Sequence, residues 1–370
     1  MSHFPEIKKN FGFGCMRLPL LENGEVDTAV FSEMIDTFIA AGFNYFDTAR
    51  MYVKEKSESA LKTCLTSRHA REEYLLADKL SNSYFEKEED IRLLFEDQLA
   101  ACGVEYFDFY LMHAQNARYY EKYKACRAYE TALELKKEGK IRHVGLSFHD
   151  SAEVLDQILT ENPEMEFVQI QFNYLDYDDV TVQSRKCLDV CNKHGKPVWI
   201  MEPVKGGSLI HLPEAGTALW NTVGTGSNAS YAIRFAASAP GVEMVLSGMS
   251  NMEQMMDNIS YMKDFVPFSE KEYAIAEQVR EMIRMQALVA CTACHYCTDG
   301  CPKKIAIPDM FACLNAKKQG TLAHPEKDYI ALTENGGRAS DCIRCGACER
   351  TCPQKLKIRT LLNEVAKAFE

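Results

Sequence analysis

Through the first 265 or so residues, short apolar runs alternate with longer segments whose apolar positions return every three or four residues. Residues 11–18, 43–48, 73–79, 106–113, 141–147, 167–172, 197–201 and 244–247 read as strands. Helical periodicity fills 27–41 with Asp27 as N-cap, 56–66, 86–102 and 120–138, the last closing at Gly139. It returns near 152–160, 180–194, 228–238 and 252–262. Roughly eight strand–helix repeats over ~250 residues match the size of a parallel (β/α)8 TIM barrel. An open doubly wound sheet has fewer units and would carry Gly-x-Gly-x-x-Gly after a strand. The doublet Gly12-x-Gly14 has no third glycine and no helix directly behind it, so it reads as a close-packed strand position. Residues 203–227, with Gly206-Gly207 and Gly224-x-Gly226, have no periodicity and read as a long loop, a lid for the barrel mouth. A charged helix over 269–288, capped by Ser269, leads out of the repeats.

Beyond that helix the chain is organised by cysteine. Cys291, Cys294, Cys297 and Cys301-Pro302 are repeated 51 residues later as Cys342, Cys345, Cys348 and Cys352-Pro353. Eight of the 15 cysteines lie in these two runs, each with the spacing of a bacterial [4Fe–4S] site. Three closely spaced thiolates can wrap one face of a cube, and the fourth, stiffened by proline, reaches the other cluster of a pair. The expected sets are therefore Cys291, Cys294, Cys297 and Cys352 for one cube, and Cys342, Cys345, Cys348 and Cys301 for the other. Zinc knuckles leave no fourth Cys-Pro, and disulfides need an oxidising compartment that nothing in the sequence indicates. Residues 308–319 look helical, and the remainder through 333–338 is polar and glycine-rich. The layout is a barrel over 1–268, a connecting helix over 269–288, and a small, mainly helical, ferredoxin-like two-cluster domain over 289–370.

Composition changes this picture little. The 370 residues are 46% hydrophobic and 26% charged, an ordinary globular balance. No apolar run approaches 18 residues, and the first ten lack a signal-peptide pattern, so a reducing cytoplasm is expected. The net charge of −11 is uneven: from Gln286 onward there are 12 Lys/Arg against 9 Asp/Glu, and before it 30 against 44. The acidic first part argues against nucleic acid and anionic membrane as partners. In the tail the cations are scattered among cysteines, where they offset the negative charge of thiolate-bound cubes.

Chemistry in such barrels sits at the carboxyl ends of strands. Those ends carry Asp47, Lys79, His113, Ser147, Gln169 and Ser247, with Tyr52 five residues beyond Asp47. Tyr52 can protonate a carbonyl oxygen if a cation stabilises its phenolate, since its free pKa is ~10. Lys79 can supply that cation, Asp47 can hold Lys79, and His113 can donate to the same oxygen. Cys187 and Cys191, one helical turn apart, lack a third ligand and read as packing. His149, Glu202 and Lys205 are candidates to touch substrate.

Asp47-Thr-Ala-x-x-Tyr52 with Ser57-Glu58 resembles the signature of the aldo-keto reductases. Arg71 with Lys79, Val104-x-x-Phe107-Asp108 with His113, and Gly145-Leu-Ser147 add to the likeness, which covers about residues 10–265. With the cysteine tail, the chain resembles the branch that carries a C-terminal ferredoxin-like domain. The resemblance implies Tyr52 as acid, Lys79 and Asp47 as its tuning pair, His113 as substrate orienter, and hydride transfer from NADP or NAD. It also implies Ser147 and Gln169 at the carboxamide, and Ser247, Gly248, Ser250, Gln254 and Asn258 at the adenosine end. The sequence departs from the family at Phe148-His149-Asp150, at Met201 where an aromatic ring usually stacks on nicotinamide, and near Ser250, where no basic residue follows.

A hydride carries two electrons and a cube passes one, so joining them needs a flavin or a substrate that accepts single electrons. Three functions stay open. The first is a reductase or dehydrogenase of small carbonyl compounds, whose clusters are structural or couple to another redox protein. The second is a ferredoxin-fed reductase with flavin or substrate at the barrel mouth. The third is a non-enzymatic electron carrier, which has no use for a proton donor.

Overall fold

The computed structural model describes residues 3–319, 324–334 and 336–370 and divides the chain into two compact units. The first comprises 3–203 with 229–269, the second 204–228 with 270–370. Segment 204–228, expected as a loop, belongs with the C-terminal unit and contains the helix Glu214–Trp220.

In the first unit eight parallel strands close into a barrel in sequence order. They are β1 (Phe11–Gly14), β2 (Tyr45–Asp47), β3 (Leu75–Leu80), β4 (Phe107–Gln115), β5 (Ile141–Phe148), β6 (Phe167–Gln171), β7 (Val198–Met201) and β8 (Val242–Gly248). Helices come after the strands, with the expected cap at Asp27, whose carboxylate accepts from Ala29 and Val30 N–H, and the expected stop at Gly139, whose φ is 78°. The helix expected over 120–138 is two, Ala117–Ala125 and Ala128–Lys137, because Arg127 between them takes a left-handed φ of 52°. No helix among the described residues is long and apolar enough to cross a membrane.

The barrel is filled by one face of its strands. Tyr45, Leu75, Ala77, Phe109, Leu111, Phe167, Trp199, Met244 and Leu246 form a single buried cluster. Phe4, from the segment before β1, joins them, with its ring 5.3 Å from Phe109 and 5.2 Å from Trp199. Side chains two apart on a strand share a face, so the same rows continue upward into Asp47, Lys79, His113 and Gln169. Gly12 belongs to this layer: a Cβ there would meet Leu246, Tyr45 and Met244 at 2.7–3.0 Å, the close packing expected of the doublet. Outside the barrel, buried Asp108 accepts from Arg71 (2.6 Å), Arg142 (2.9 Å) and Leu76 N–H (2.8 Å), which accounts for the pairing of Arg71 and Asp108 in the sequence.

The second unit has its own core of Ile305, Ile307, Met310, Phe311, Leu314, Tyr329, Ile358, Leu362 and Val365. Its helices include Glu270–Met285 and Ile307–Gln319, both near their expected places. Pro325–Glu334, read as irregular, is helical and supplies buried Tyr329, stacked on Phe369 at 4.9 Å. Phe369 ends the helix Ile358–Phe369, which has no counterpart in the sequence reading.

Gly145 gives a test of the interior packing. A Cβ there would lie 2.6 Å from the Phe167 carbonyl oxygen and ring, whereas one on Gly14 comes no closer than 3.4 Å to anything. Gly145→Ala should cost about 1–3 kcal/mol in urea unfolding, and Gly14→Ala much less. Equal effects would contradict the packing.

Candidate active site and cysteine cavities

Asp47, Tyr52, Lys79 and His113 come together at the carboxyl ends of β2, β3 and β4. Lys79, 1% exposed, donates to Asp47 Oδ1 at 2.5 Å and to the Thr48 carbonyl at 2.6 Å. Its ammonium lies 4.7 Å from the Tyr52 ring centroid, and that ring meets His113 edge-on at 6.0 Å. Ser81 Oγ bonds His113 Nδ1 at 2.6 Å. Ser57 Oγ donates to the Cys15 carbonyl and bonds Thr48 Oγ1 at 2.7 Å, which ties the loop after β2 to β1.

Burial sets the protonation states. It pushes the Tyr52 phenol well above its usual pKa, helped by Asp47 and Asp78, so the group is protonated at neutral pH. Sequence reasoning expected Lys79 to lower it; here the ammonium's charge is matched by Asp47, and burial prevails. Burial, with Lys79 and His149 nearby, drives the His113 pKa well below 6.5, so its ring is neutral. A serine hydroxyl donating to Nδ1 leaves the ring proton on Nε2. Asp47 is itself pushed up by burial, with Lys79 pulling it back, and its Oδ2 has no hydrogen-bond partner.

Behind this set, sequence reasoning missed a buried carboxyl pair. Asp78, fully buried, accepts from Lys79 N–H at 2.7 Å and hydrogen-bonds Glu58. Glu58 pairs with Arg50 at 3.0 Å and takes a bond from Gln98. Burial and the Glu58 charge drive the Asp78 pKa up strongly, while Arg50 restrains the rise at Glu58. Asn173 was also missed; it bonds Asp176 and the carbonyl of Glu202, whose charge raises the Tyr52 pKa further.

The expected cofactor residues lie on β5, β6 and the turn after β8. Ser147 and Gln169 are register partners, 1% and 2% exposed, and Ser147 Oγ accepts from Ala114 N–H at 2.7 Å. Ser250 N–H donates to Gln254 Oε1, and Asn258 Nδ2 to Ser247 Oγ, so these four residues brace one another. Ser250 Oγ donates to the Arg17 carbonyl at 3.0 Å, and the Arg17 stem crosses Gly248 so closely that a Cβ there would come within 3.2 Å. The stem of Arg17, from the loop after β1, thus lies beside Gly248 and Ser250. Met201 is half-buried at the end of β7. Lys205 lies in the other unit, where it donates to Gln354 at 3.1 Å. Cys187 and Cys191 are buried in packing positions.

In the second unit Cys291, Cys294, Cys297 and Cys352 line one cavity, and Cys301, Cys342, Cys345 and Cys348 line another. The backbone around them is duplicated at the 51-residue offset. Positive φ recurs at Ala293 and Arg344, at His295 and Gly346, and at Lys304 and Lys355. Two cavities, each with four thiols on equivalent backbone, fit two identical cubic clusters.

Residues 10–281 match the aldo/keto reductase family and 290–356 the 4Fe–4S dicluster domain, so the chain belongs to the aldo/keto reductases and is an oxidoreductase with two [4Fe–4S] clusters. Among its relatives is the oxidoreductase YqkF of Bacillus subtilis, 23% identical over 279 residues, covering 67% of this chain and 85% of that one. The D-xylose reductase of Aspergillus terreus, a probable NAD(P)H-dependent enzyme by name, is 31% identical over 113 residues, covering 30% and 34%. The fold resembles aldo-keto reductase AKR11C1 from Bacillus halodurans at a TM-score of 0.60, 22% identity and coverage of 73% and 91%. It also resembles a Klebsiella pneumoniae aldo-keto reductase in complex with NADPH at 0.59, 18% identity, 73% and 90%.

The carboxyl pair makes a pH prediction. Raised carboxyl pKa values mean that the folded chain holds protons the unfolded chain releases, so the pair lowers stability as pH rises above the ordinary value of ~4. Asn mimics a protonated Asp. Asp78→Asn should therefore melt above wild type by a margin that grows between pH 5 and 8, at roughly 2–4 °C for each kcal/mol. A pH-independent margin would refute the raised Asp78 pKa.

Proposed function

We propose that this protein reduces a small carbonyl compound, or oxidises the matching alcohol, with Tyr52 as general acid. The reading is carried by the convergence of Tyr52, Lys79, Asp47 and His113 at three adjacent strand ends. A protonated phenol and a neutral imidazole are both hydrogen-bond donors, and together they suit a carbonyl oxygen on its way to alkoxide. Tyr52 gives its proton to that oxygen, while His113 holds it through Nε2–H. Lys79, held by Asp47 and Thr48, receives the phenolate charge that remains on Tyr52.

Reduced nicotinamide, when bound, supplies the hydride. Ser147 and Gln169 would hold its carboxamide, and Ser247, Gly248, Ser250, Gln254 and Asn258 its adenosine end. Arg17 beside Ser250 favours NADP over NAD. Cys291, Cys294, Cys297 and Cys352 would ligate one cluster, and Cys301, Cys342, Cys345 and Cys348 the other. The clusters exchange single electrons with another redox protein. A second reading, electrons entering through the clusters to a flavin or the substrate, is favoured by Met201, which offers nicotinamide no aromatic ring.

Tyr52→Phe should lower kcat for NADPH-driven reduction about 10²–10⁴-fold, with the Kd for NADPH unchanged by fluorescence titration. Arg17→Ala should weaken NADPH about tenfold and NADH hardly at all. Anaerobically prepared protein should hold about eight irons per chain. Absence of any nicotinamide binding, together with turnover driven by reduced ferredoxin, would displace the first reading in favour of the second.

A further inference from the structure

The two cysteine cavities are built alike but walled differently. Besides its cysteines the first is bounded by groups such as Thr292, Ile307, Pro308, Phe311, Gln354 and Leu356, and among the described residues no charged side chain lines it. The second is bordered by Lys303, Arg359 and Ile343. Cys345 is exposed, whereas Cys294, its counterpart at the 51-residue offset, is half-buried. Ile343 is 58% exposed, and Arg344 beside it stands in solvent. Arg350 donates to the Cys345 carbonyl at 3.2 Å, and its guanidinium and that of Arg359 both approach Gly346. The nearby carboxylate of Glu349 is tied to Arg359 at 2.6 Å.

Cations near a thiolate-bound cube offset its negative charge. The first cavity has buried Lys205 behind its Gln354, whereas exposed Lys303 borders the second. Neutralisation can be met from inside, so it does not by itself account for cations at the surface. An exposed isoleucine ringed by arginine and lysine, over the more exposed of two redox centres, has the make-up of a docking face with an apolar centre and a charged border. We propose that Ile343, Arg344 and Cys345, with Lys303, Arg350 and Arg359 around them, form the docking surface for a small acidic protein that carries a one-electron centre. The proposal rests on the reading that the clusters relay electrons. In each exchange the carrier loses or gains one electron and the cluster of Cys301, Cys342, Cys345 and Cys348 gains or loses it; no bond or proton is transferred.

The test uses the full, cluster-loaded chain under anaerobic conditions with photoreduced acidic flavodoxin as probe, read by stopped-flow absorbance and by calorimetric binding. The bimolecular rate should fall as ionic strength rises. Lys303→Glu with Arg344→Glu should slow it at least tenfold at low salt and weaken binding as much, with iron content and visible spectrum unchanged. Lys193→Glu on the barrel should alter neither. If the double reversal loses iron, Lys303→Gln with Arg344→Gln decides instead, at a threefold threshold. Unchanged rate and binding with intact clusters would overturn the docking face, as would a basic cytochrome c that binds as tightly. Loaded clusters that take no electron from dithionite would instead overturn the electron-relay reading itself.

Discussion

A lysine ammonium inside a barrel is the constraint around which the catalytic end is arranged. Lys79 is 1% exposed, and a buried charge left alone costs several kcal/mol. Asp47 and the Thr48 carbonyl take it at 2.5 and 2.6 Å. They can do so because β2 and β3 pair in a register that sets Asp47 beside Ala77, two residues before Lys79. A one-residue slip of either strand would turn one partner to the outer face and leave the other unpaired. The aromatic layer below, with Phe4 against Phe109 and Trp199, holds the strands where that register is kept.

The same dryness gives two neighbouring groups their roles. It raises the Tyr52 pKa and lowers that of His113, and in both cases it favours the uncharged form. The outcome is a pair of neutral donors beside an ion pair of nearly zero net charge. The phenol is therefore in the right state to protonate an oxygen at any physiological pH, though a high pKa gives little driving force until negative charge develops on the substrate. In the proposed reaction Lys79 matters most after the proton has left, when Tyr52 carries the charge.

The barrel and the convergence of residues at its carboxyl end were legible because each depends on local pattern. Strand ends come from apolar runs, and side-chain alternation places Asp47, Lys79 and His113 on one face. The cysteine spacing likewise carried the two-cluster architecture without help from elsewhere in the chain. The features that stayed hidden depend on contacts distant in sequence. Phe4 looks like any apolar residue in a polar leader, Arg17 reaches Gly248 across more than two hundred residues, and Asp78 is unusual only once Glu58 is beside it. The helices Pro325–Glu334 and Ile358–Phe369 were missed; they pack on each other through Tyr329 and Phe369, forty residues apart. Segment 204–228 lacked periodicity because it is packed by short turns, with Gly206 at a φ of 61° against the backbone of Thr292.

The turn that presents Tyr52 is strained. Val53, Lys54 and Glu55 all have left-handed backbone, with φ of 52°, 53° and 68°. That conformation costs roughly 1–2 kcal/mol for each residue with a side chain, and a β-branched valine is among the least suited to it. A flexible loop would relax, so the surroundings must hold it. Tyr84 donates to Glu55 at 2.8 Å, Arg50 binds Glu58 at 3.0 Å, and Ser57 is anchored to Cys15 and Thr48 within a few residues. Three fixed points on so short a turn leave the Tyr52 backbone little freedom. If Tyr52 is the proton donor proposed above, its geometry is set before substrate arrives, which is what backbone strain at a functional site is able to provide.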